Sequence, residues 1–234
     1  MVRLKIENGD VCHVYNRGVE KRVVFLDEDD YLRYIHDLFE FNDEEPTPTT
    51  FSYLERKPRS LEVPLPKIER QPKKPLVDVL AFCLMPNHVH LMLHQRVASG
   101  ITEFMRKIGT GYTNFFNKKY QRVGPLFQGT YKFIRLSRHE HLLHLPYYIH
   151  ANALDVAFPE WRTNGIIDHT KAAEFLESYR WSSHQDYIGK KNFPSVTQRD
   201  FLLDLFGGAS VYKDDMIRWL KERSFESLNV VTLE

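Results

Sequence analysis

His88 and His90, separated by Val89, are the residues of this chain best suited to chemistry. In an extended strand alternate side chains share a face, so both imidazoles stand on one side, roughly 7 Å apart at the backbone. Two neutral imidazoles so placed can converge on one divalent cation if a third ligand arrives from elsewhere. Pro86-Asn87 turns the chain just before them, and apolar runs lie on both sides. Further along, Tyr148 and Asn152 are four residues apart and share a helix face, whereas Tyr147 shares its face with Ala151. A phenol and an amide beside a two-histidine metal site are the equipment of phosphoryl transfer. The cation polarises a scissile phosphate and the phenol oxygen attacks phosphorus to give a covalent intermediate. A free phenol ionises near pH ~10, so the metal or a basic neighbour must favour its charged form. Taken singly, a bare His-x-His reads as two surface histidines and a lone tyrosine as packing. The combination carries the inference.

The substrate surface is suggested by charge. Between Phe104 and Arg138 there is no Asp or Glu, while basic residues alternate with eight aromatics. Cations track phosphates, and aromatic rings stack on bases of a single strand, each worth roughly 1–3 kcal/mol. Phe104, Phe115 and Phe116 fall on the apolar stripe of a helix and read as core. Arg106, Lys118, Lys119, Arg122, Gln128, Tyr131, Lys132 and Arg135 read as a nucleic-acid surface near the metal. His94 and His144 read as surface or supporting residues, and His150 as structural.

These residues need a scaffold. The 234 residues are 42% hydrophobic, enough for one good core, and the net charge of +1 makes any electrostatic signal local. Cys12 and Cys83 have no metal or disulfide spacing, and no apolar run approaches a membrane span. Val11–Leu26 reads as a hairpin turning at Asn16-Arg17-Gly18, followed by a helix capped by Asp27 and running to about Phe41. Residues 44–75 hold seven of the twelve prolines and read as a surface excursion. Val77–Leu84 and His88–His94 are two strands. Ile101, Phe104, Met105, Ile108, Tyr112 and Phe116 mark an amphipathic helix, in which Gly109 and Gly111 allow close approach. Leu126–Leu136 is extended, and Ser137 to Glu140 is a capping box opening the helix that carries Tyr148. Helices near 170–179, 197–205 and 213–223 follow. This order predicts an α+β fold: an antiparallel sheet with helices on one face and His88 and His90 on an inner strand. The chain divides into a catalytic domain over 1–158, with the Pro-rich insert at 44–75, and a C-terminal helical extension over 159–234.

Several blocks together resemble a known family. They are His13-Val-Tyr-Asn-Arg-Gly18, Met85-Pro-Asn-His-Val-His-Leu91, Tyr120-Gln-Arg-Val-Gly-Pro-Leu-Phe-Gln128 with Tyr131-Lys132, Tyr148-Ile-His-Ala-Asn152, and Tyr179-Arg-Trp-Ser-Ser183 with Tyr187. With these the chain resembles the HUH single-tyrosine transposases of single-strand insertion sequences, most closely the REP-associated tyrosine transposases. The resemblance implies a ferredoxin-like (RRM-like) sheet. It implies Mg²⁺ or Mn²⁺ held by His88, His90 and Asn152, and Tyr148 as nucleophile. It further implies cleavage and rejoining of single-stranded DNA beside REP-like or insertion-sequence hairpins, through a 5′-phosphotyrosine. The expected setting is bacterial, cytoplasmic and nucleoid-associated, with no membrane partner and with a homodimer left open.

Two other readings compete. The same sheet could be a non-catalytic or domesticated single-stranded nucleic-acid-binding module, which leaves Tyr148 and Asn152 unexplained. A cupin-type metalloenzyme also uses His-x-His, but it wants a nearby carboxylate, and Leu91 to Val97 has none. A metal-dependent covalent adduct with DNA separates the first alternative from the transposase reading.

Overall fold

The computed structural model describes residues 5–45 and 72–222; most of the Pro-rich 44–75 insert therefore lies outside the described residues. Four strands are present among them: β1 (Val11–Arg17), β2 (Val77–Met85), β3 (His88–Gln95) and β4 (Lys132–Arg135). They pair antiparallel in the order β2-β3-β1-β4. Helix α1 (Glu28–Glu40) links β1 to β2, and α2 (Gly100–Lys119) links β3 to β4. This β-α-β-β-α-β order with β1 and β3 innermost is the ferredoxin-like arrangement.

Alternation along the strands creates two faces. Cys12, Val14, Val89, Leu91 and Leu93 point to one core, which is closed by Tyr34, Ile35 and Leu38 of α1 and Phe104, Ile108, Tyr112 and Phe116 of α2. Each such buried side chain stabilises the fold by roughly 1.5–3 kcal/mol. Helix α2 comes close because Gly111 has no Cβ: one added there would overlap the Phe41 ring. Asp27 begins α1 by accepting from the Asp30 amide at 3.1 Å.

Met92, Cys83 and Met85 point to the second face. They meet Leu145, Tyr148 and Ile149 of α3 (His139–Ala151) and the helical extension. A bulge between Val79 and Ala81 turns Leu80 and Ala81 toward this second core together. The extension comprises α4 (Leu154–Ala157), α5 (Trp161–Asn164), α6 (His169–Ser178), α7 (His184–Tyr187), α8 (Asp200–Phe206) and α9 (Ala209–Glu222). Trp161, Leu176, Tyr187, Tyr212 and Trp219 join the same cluster as Leu145 and Met92. Helices thus cover both faces, with α1 and α2 on the predicted side and the extension on the other.

The extension also seals the outer edge of β2. The Val79 amide donates to Gln198 Oε1 at 2.8 Å and the Val79 carbonyl accepts from the Gln198 amide at 2.9 Å. The Phe82 amide donates to Ser183 Oγ at 2.9 Å, and the Leu84 amide to the Trp181 carbonyl at 2.9 Å. The Tyr187 and Tyr179 hydroxyls donate to the carbonyls of Leu80 and Leu84, each at 2.7 Å. Among the described residues no helix is long and apolar enough to cross a membrane.

Two local expectations are corrected. Arg22–Leu26 is not the second strand of a hairpin, because both sides of β1 are taken by β3 and β4. The chain instead makes a 3-10 turn over Val19–Lys21, and the Val24 amide donates to the Pro86 carbonyl at 2.7 Å. The capping box does not form either: α3 starts at His139 after Arg138, with no side-chain cap bond.

Candidate active site

His88 and His90 leave β3 on the second face, their ring centroids 5.0 Å apart and nearly perpendicular. Both are buried. Each has its Nδ1 engaged by a neighbour: Asn87 Oδ1 lies 2.6 Å from His88, and His13 Nε2 lies 2.9 Å from His90. A second partner on one ring nitrogen leaves the other as the ligating atom, so Nε2 is that atom in both rings. Burial, with the cations Arg162 and Arg17 adding to it, pushes His90 down to about 3, so its imidazole is neutral.

Strand β1 supplies the facing side chains. Its register sets Arg17 opposite His88, Tyr15 opposite His90 and His13 opposite Met92. Tyr15 stacks over His90 with centroids 6.1 Å apart. A shallow hollow is lined by Tyr15, Arg17, His88, His90, Gln128 and Lys132. Lys132 reaches it because it pairs with Tyr15 across β1 and β4. His13, Tyr15 and Arg17 were given no role from sequence. Alternation alone puts them on one face of β1, but only the pairing with β3 reveals which face.

Tyr148 comes from α3, and its ring is edge-on to both His90 (6.1 Å) and His13 (5.9 Å). It is buried and is not among the residues lining the hollow. Tyr147 lies elsewhere, stacked on Tyr212 at 4.9 Å in the second core. His150 is structural as expected, 2.6 Å from the Tyr212 hydroxyl and 2.7 Å from Ser183 Oγ. His94 pairs with Asp78 at 2.8 Å, away from the site.

Asn152 caps the end of α3. Its Nδ2 donates to the Tyr148 carbonyl at 2.8 Å, and its Oδ1 accepts from Arg162 Nη2 at 2.6 Å. Arg162 also donates through Nε to Asp155 Oδ1 at 3.0 Å, and its guanidinium lies 5.6 Å from the Tyr148 ring centroid. In this conformation the amide oxygen serves a guanidinium through one of its two lone pairs. Arg162 belongs to the extension, and no motif announced it. Among the described residues no three His, Cys, Asp or Glu side chains form a metal-holding group. The donors that do converge, two imidazoles presenting Nε2, suit a divalent cation whose remaining positions are filled from the amide of Asn152, phosphate or water.

Residues 65–152 match the family model described as "Transposase IS200 like". The fold of the chain is similar to that of a solved REP-associated tyrosine transposase bound to a REP hairpin, with a TM-score of 0.50 and 11% identity. The similarity covers 86% of this chain and 91% of that one. No curated protein matches the chain by sequence.

The fold does not gather the basic stretch into one surface. Gln128 and Lys132 line the histidine hollow. Arg106, Lys118, Lys119 and Arg122 belong to α2 or the turn after it, and α2 covers the opposite face of the sheet. Arg135 is three residues from Lys132 on β4, so alternation points it away from the histidines, and it pairs with Asp10 at 3.6 Å. Tyr131 also faces away and bonds Thr102 Oγ1 at 3.0 Å. The local excess of positive charge is reduced by acids from outside the stretch. Glu103 binds Arg106 at 2.6 Å, and Asp27 and Asp30 hold Lys119 at 2.7 and 2.8 Å. Arg122 donates to Asn117 Oδ1 at 2.9 Å.

Proposed function

We propose that this protein is a transposase of the IS200-like kind, which cuts and rejoins single-stranded DNA beside a hairpin, with Tyr148 as nucleophile and His88 and His90 as ligands of Mg²⁺ or Mn²⁺. The observation that carries the reading is the position of the Tyr148 ring, edge-on to His90 and His13 on the histidine face of the sheet. The hairpin bound by the structurally similar REP-associated transposase supports the class of substrate. A cation on the two Nε2 atoms would supply electrophilic activation of the scissile phosphate. Arg17, Gln128 and Lys132 line the hollow and hold the phosphate and its neighbours there. The Tyr148 oxygen loses its proton and bonds to phosphorus. The P–O3′ bond breaks, the departing oxygen takes up a proton as a free 3′-hydroxyl, and the 5′ side stays on the enzyme as phosphotyrosine. Attack by a 3′-hydroxyl reverses the step and rejoins DNA. Asn152 would be the third ligand through its Oδ1, which accepts from Arg162. Tyr120, with its hydroxyl 2.8 Å from Asp30, and Tyr147 in the second core have no path to that phosphate.

The test is a hairpin with single-stranded flanks incubated with Mn²⁺, followed by a denaturing gel and peptide mapping. The wild type forms an adduct at Tyr148. Tyr148→Phe keeps its ring packing, binds DNA and forms no adduct, and His88→Ala loses cleavage. An adduct mapped to another tyrosine would overturn the assignment. A second reading, binding without cleavage, is favoured by the burial of Tyr148 and by the Arg162 bond to Asn152. It predicts hairpin binding with no adduct in the wild type.

A further inference from the structure

The two site histidines are held by partners of different kinds. Asn87 Nδ2 donates to the Lys21 carbonyl at 3.1 Å. A carbonyl only accepts, so the amide group facing Lys21 must be the NH₂, and the oxygen must face His88. That oxygen also only accepts, so His88 Nδ1, 2.6 Å away, must carry the ring proton. The backbone fixes Asn87 further, because its carbonyl accepts from the Gly18 amide at 2.8 Å. The turn that offers the Lys21 carbonyl is itself unusual: Glu20 and Lys21, neither of them glycine, have φ of 56° and 58°. Left-handed backbone at two adjacent ordinary residues is rare and clusters at functional sites. His90 Nδ1 faces a partner of another kind, His13 Nε2 at 2.9 Å, which can donate or accept.

Resting on the reading of His88 and His90 as metal ligands, we propose that Asn87 is a positioning residue that presets His88 as Nδ1–H with Nε2 presented to the cation. The Val19–Lys21 turn orients Asn87 for this.

The experiment is ¹⁵N-histidine NMR on metal-free full-length protein, then with Mg²⁺, together with Mn²⁺ binding by calorimetry. In the wild type without metal His88 gives the pure Nδ1–H pattern. Asn87→Ala turns the His88 pattern into a mixture and weakens Mn²⁺ about 10- to 100-fold, the range found when a ligand's hydrogen-bond partner is lost. The proton position on His88 is a readout that a merely structural role for Asn87 would not move. Thermal melting identifies any variant that fails to fold, in which case the wild-type spectrum decides alone. Nε2–H at His88 in the wild type, or an unchanged His88 pattern in folded Asn87→Ala, overturns the proposal. Nδ1–H at His88 in a wild type that binds neither cation upholds the preset and instead defeats the metal reading.

Discussion

Arg162 is the residue on which the site and the extension meet. One guanidinium serves Asn152 and Asp155 and lies 5.6 Å from the Tyr148 ring centroid. Replacing it by methionine keeps much of the volume but removes the charged donors of a fully buried amide and a half-buried carboxylate. Arg162→Met should lower stability by about 1–3 kcal/mol in urea unfolding. Lysine should not restore it, because an ammonium cannot span both acceptors as the planar fork does. Equal midpoints for wild type and Arg162→Met would remove Arg162 from this role. If the histidine hollow holds DNA as proposed, Arg17→Gln should weaken hairpin binding and flatten the dependence of log K on log salt, while Arg106→Gln, on the far side of the sheet, should change the slope less. A larger effect at Arg106 would move the DNA to the helical face. At this scale the sequence was legible where chemistry is local. His88, His90 and Tyr148 stand out by type and spacing, and the structure gathers them on one face. Arg162 was not legible, because nothing within its own segment says which side chains it will meet.

The elements were legible in proportion to their periodicity. The apolar stripe of α2 and the strands flanking Pro86-Asn87 form within a few residues of their expected bounds. Arg22–Leu26 has the composition of a strand, yet β1 has no free side to pair with. The Ser137 capping signal is likewise a local preference that the path from β4 into α3 does not use. Between elements, the contact most sensitive to one atom is Phe41 on Gly111. Gly111→Ala should gain helix propensity but lose more to the displaced ring, for a net cost of about 1–3 kcal/mol by chemical denaturation. A stabilised Gly111→Ala would show that the ring yields freely. On the extension, Glu177 of α6 accepts from Lys190 at 2.8 Å and from Lys213 of α9 at 2.7 Å. Those bonds, Lys190's first, hold its carboxyl below the usual range. A carboxyl whose folded value is lowered adds stability above its unfolded pKa of about 4.3 and loses it as pH falls through the folded value. Glu177→Gln should therefore cost up to about 1 kcal/mol near neutrality and nothing in strong acid. Thermal melts across that range check the sign, and a difference that grows on acidification would reverse it.

For the whole molecule, the division after residue 158 falls inside one packed cluster. Met92 and Leu145 share it with Trp161, Tyr187, Tyr212 and Trp219. A fragment ending at residue 158 should keep helical signal in far-ultraviolet circular dichroism but lose near-ultraviolet signal and aggregate, because it exposes the floor of α3 and one face of the sheet. A monomeric, cooperatively melting fragment would establish the catalytic part as independent. The basic stretch teaches the same lesson about distance. A window of sequence without acids looked like one surface, and the sheet split it into two faces while Asp27, Asp30 and Glu103 came to meet it.

The sealed edge of β2 has a consequence in time. Its covering contacts span 101 residues between Phe82 and Ser183 and 119 between Val79 and Gln198. During synthesis at about 5–20 residues per second, a nine-residue, almost wholly apolar strand waits on the order of ten seconds for its cover to be made. Through that interval the nascent chain offers unpaired backbone to any other strand nearby. Slow translation before residue 198 should thus send more of this protein into inclusion bodies than equally slow translation after it.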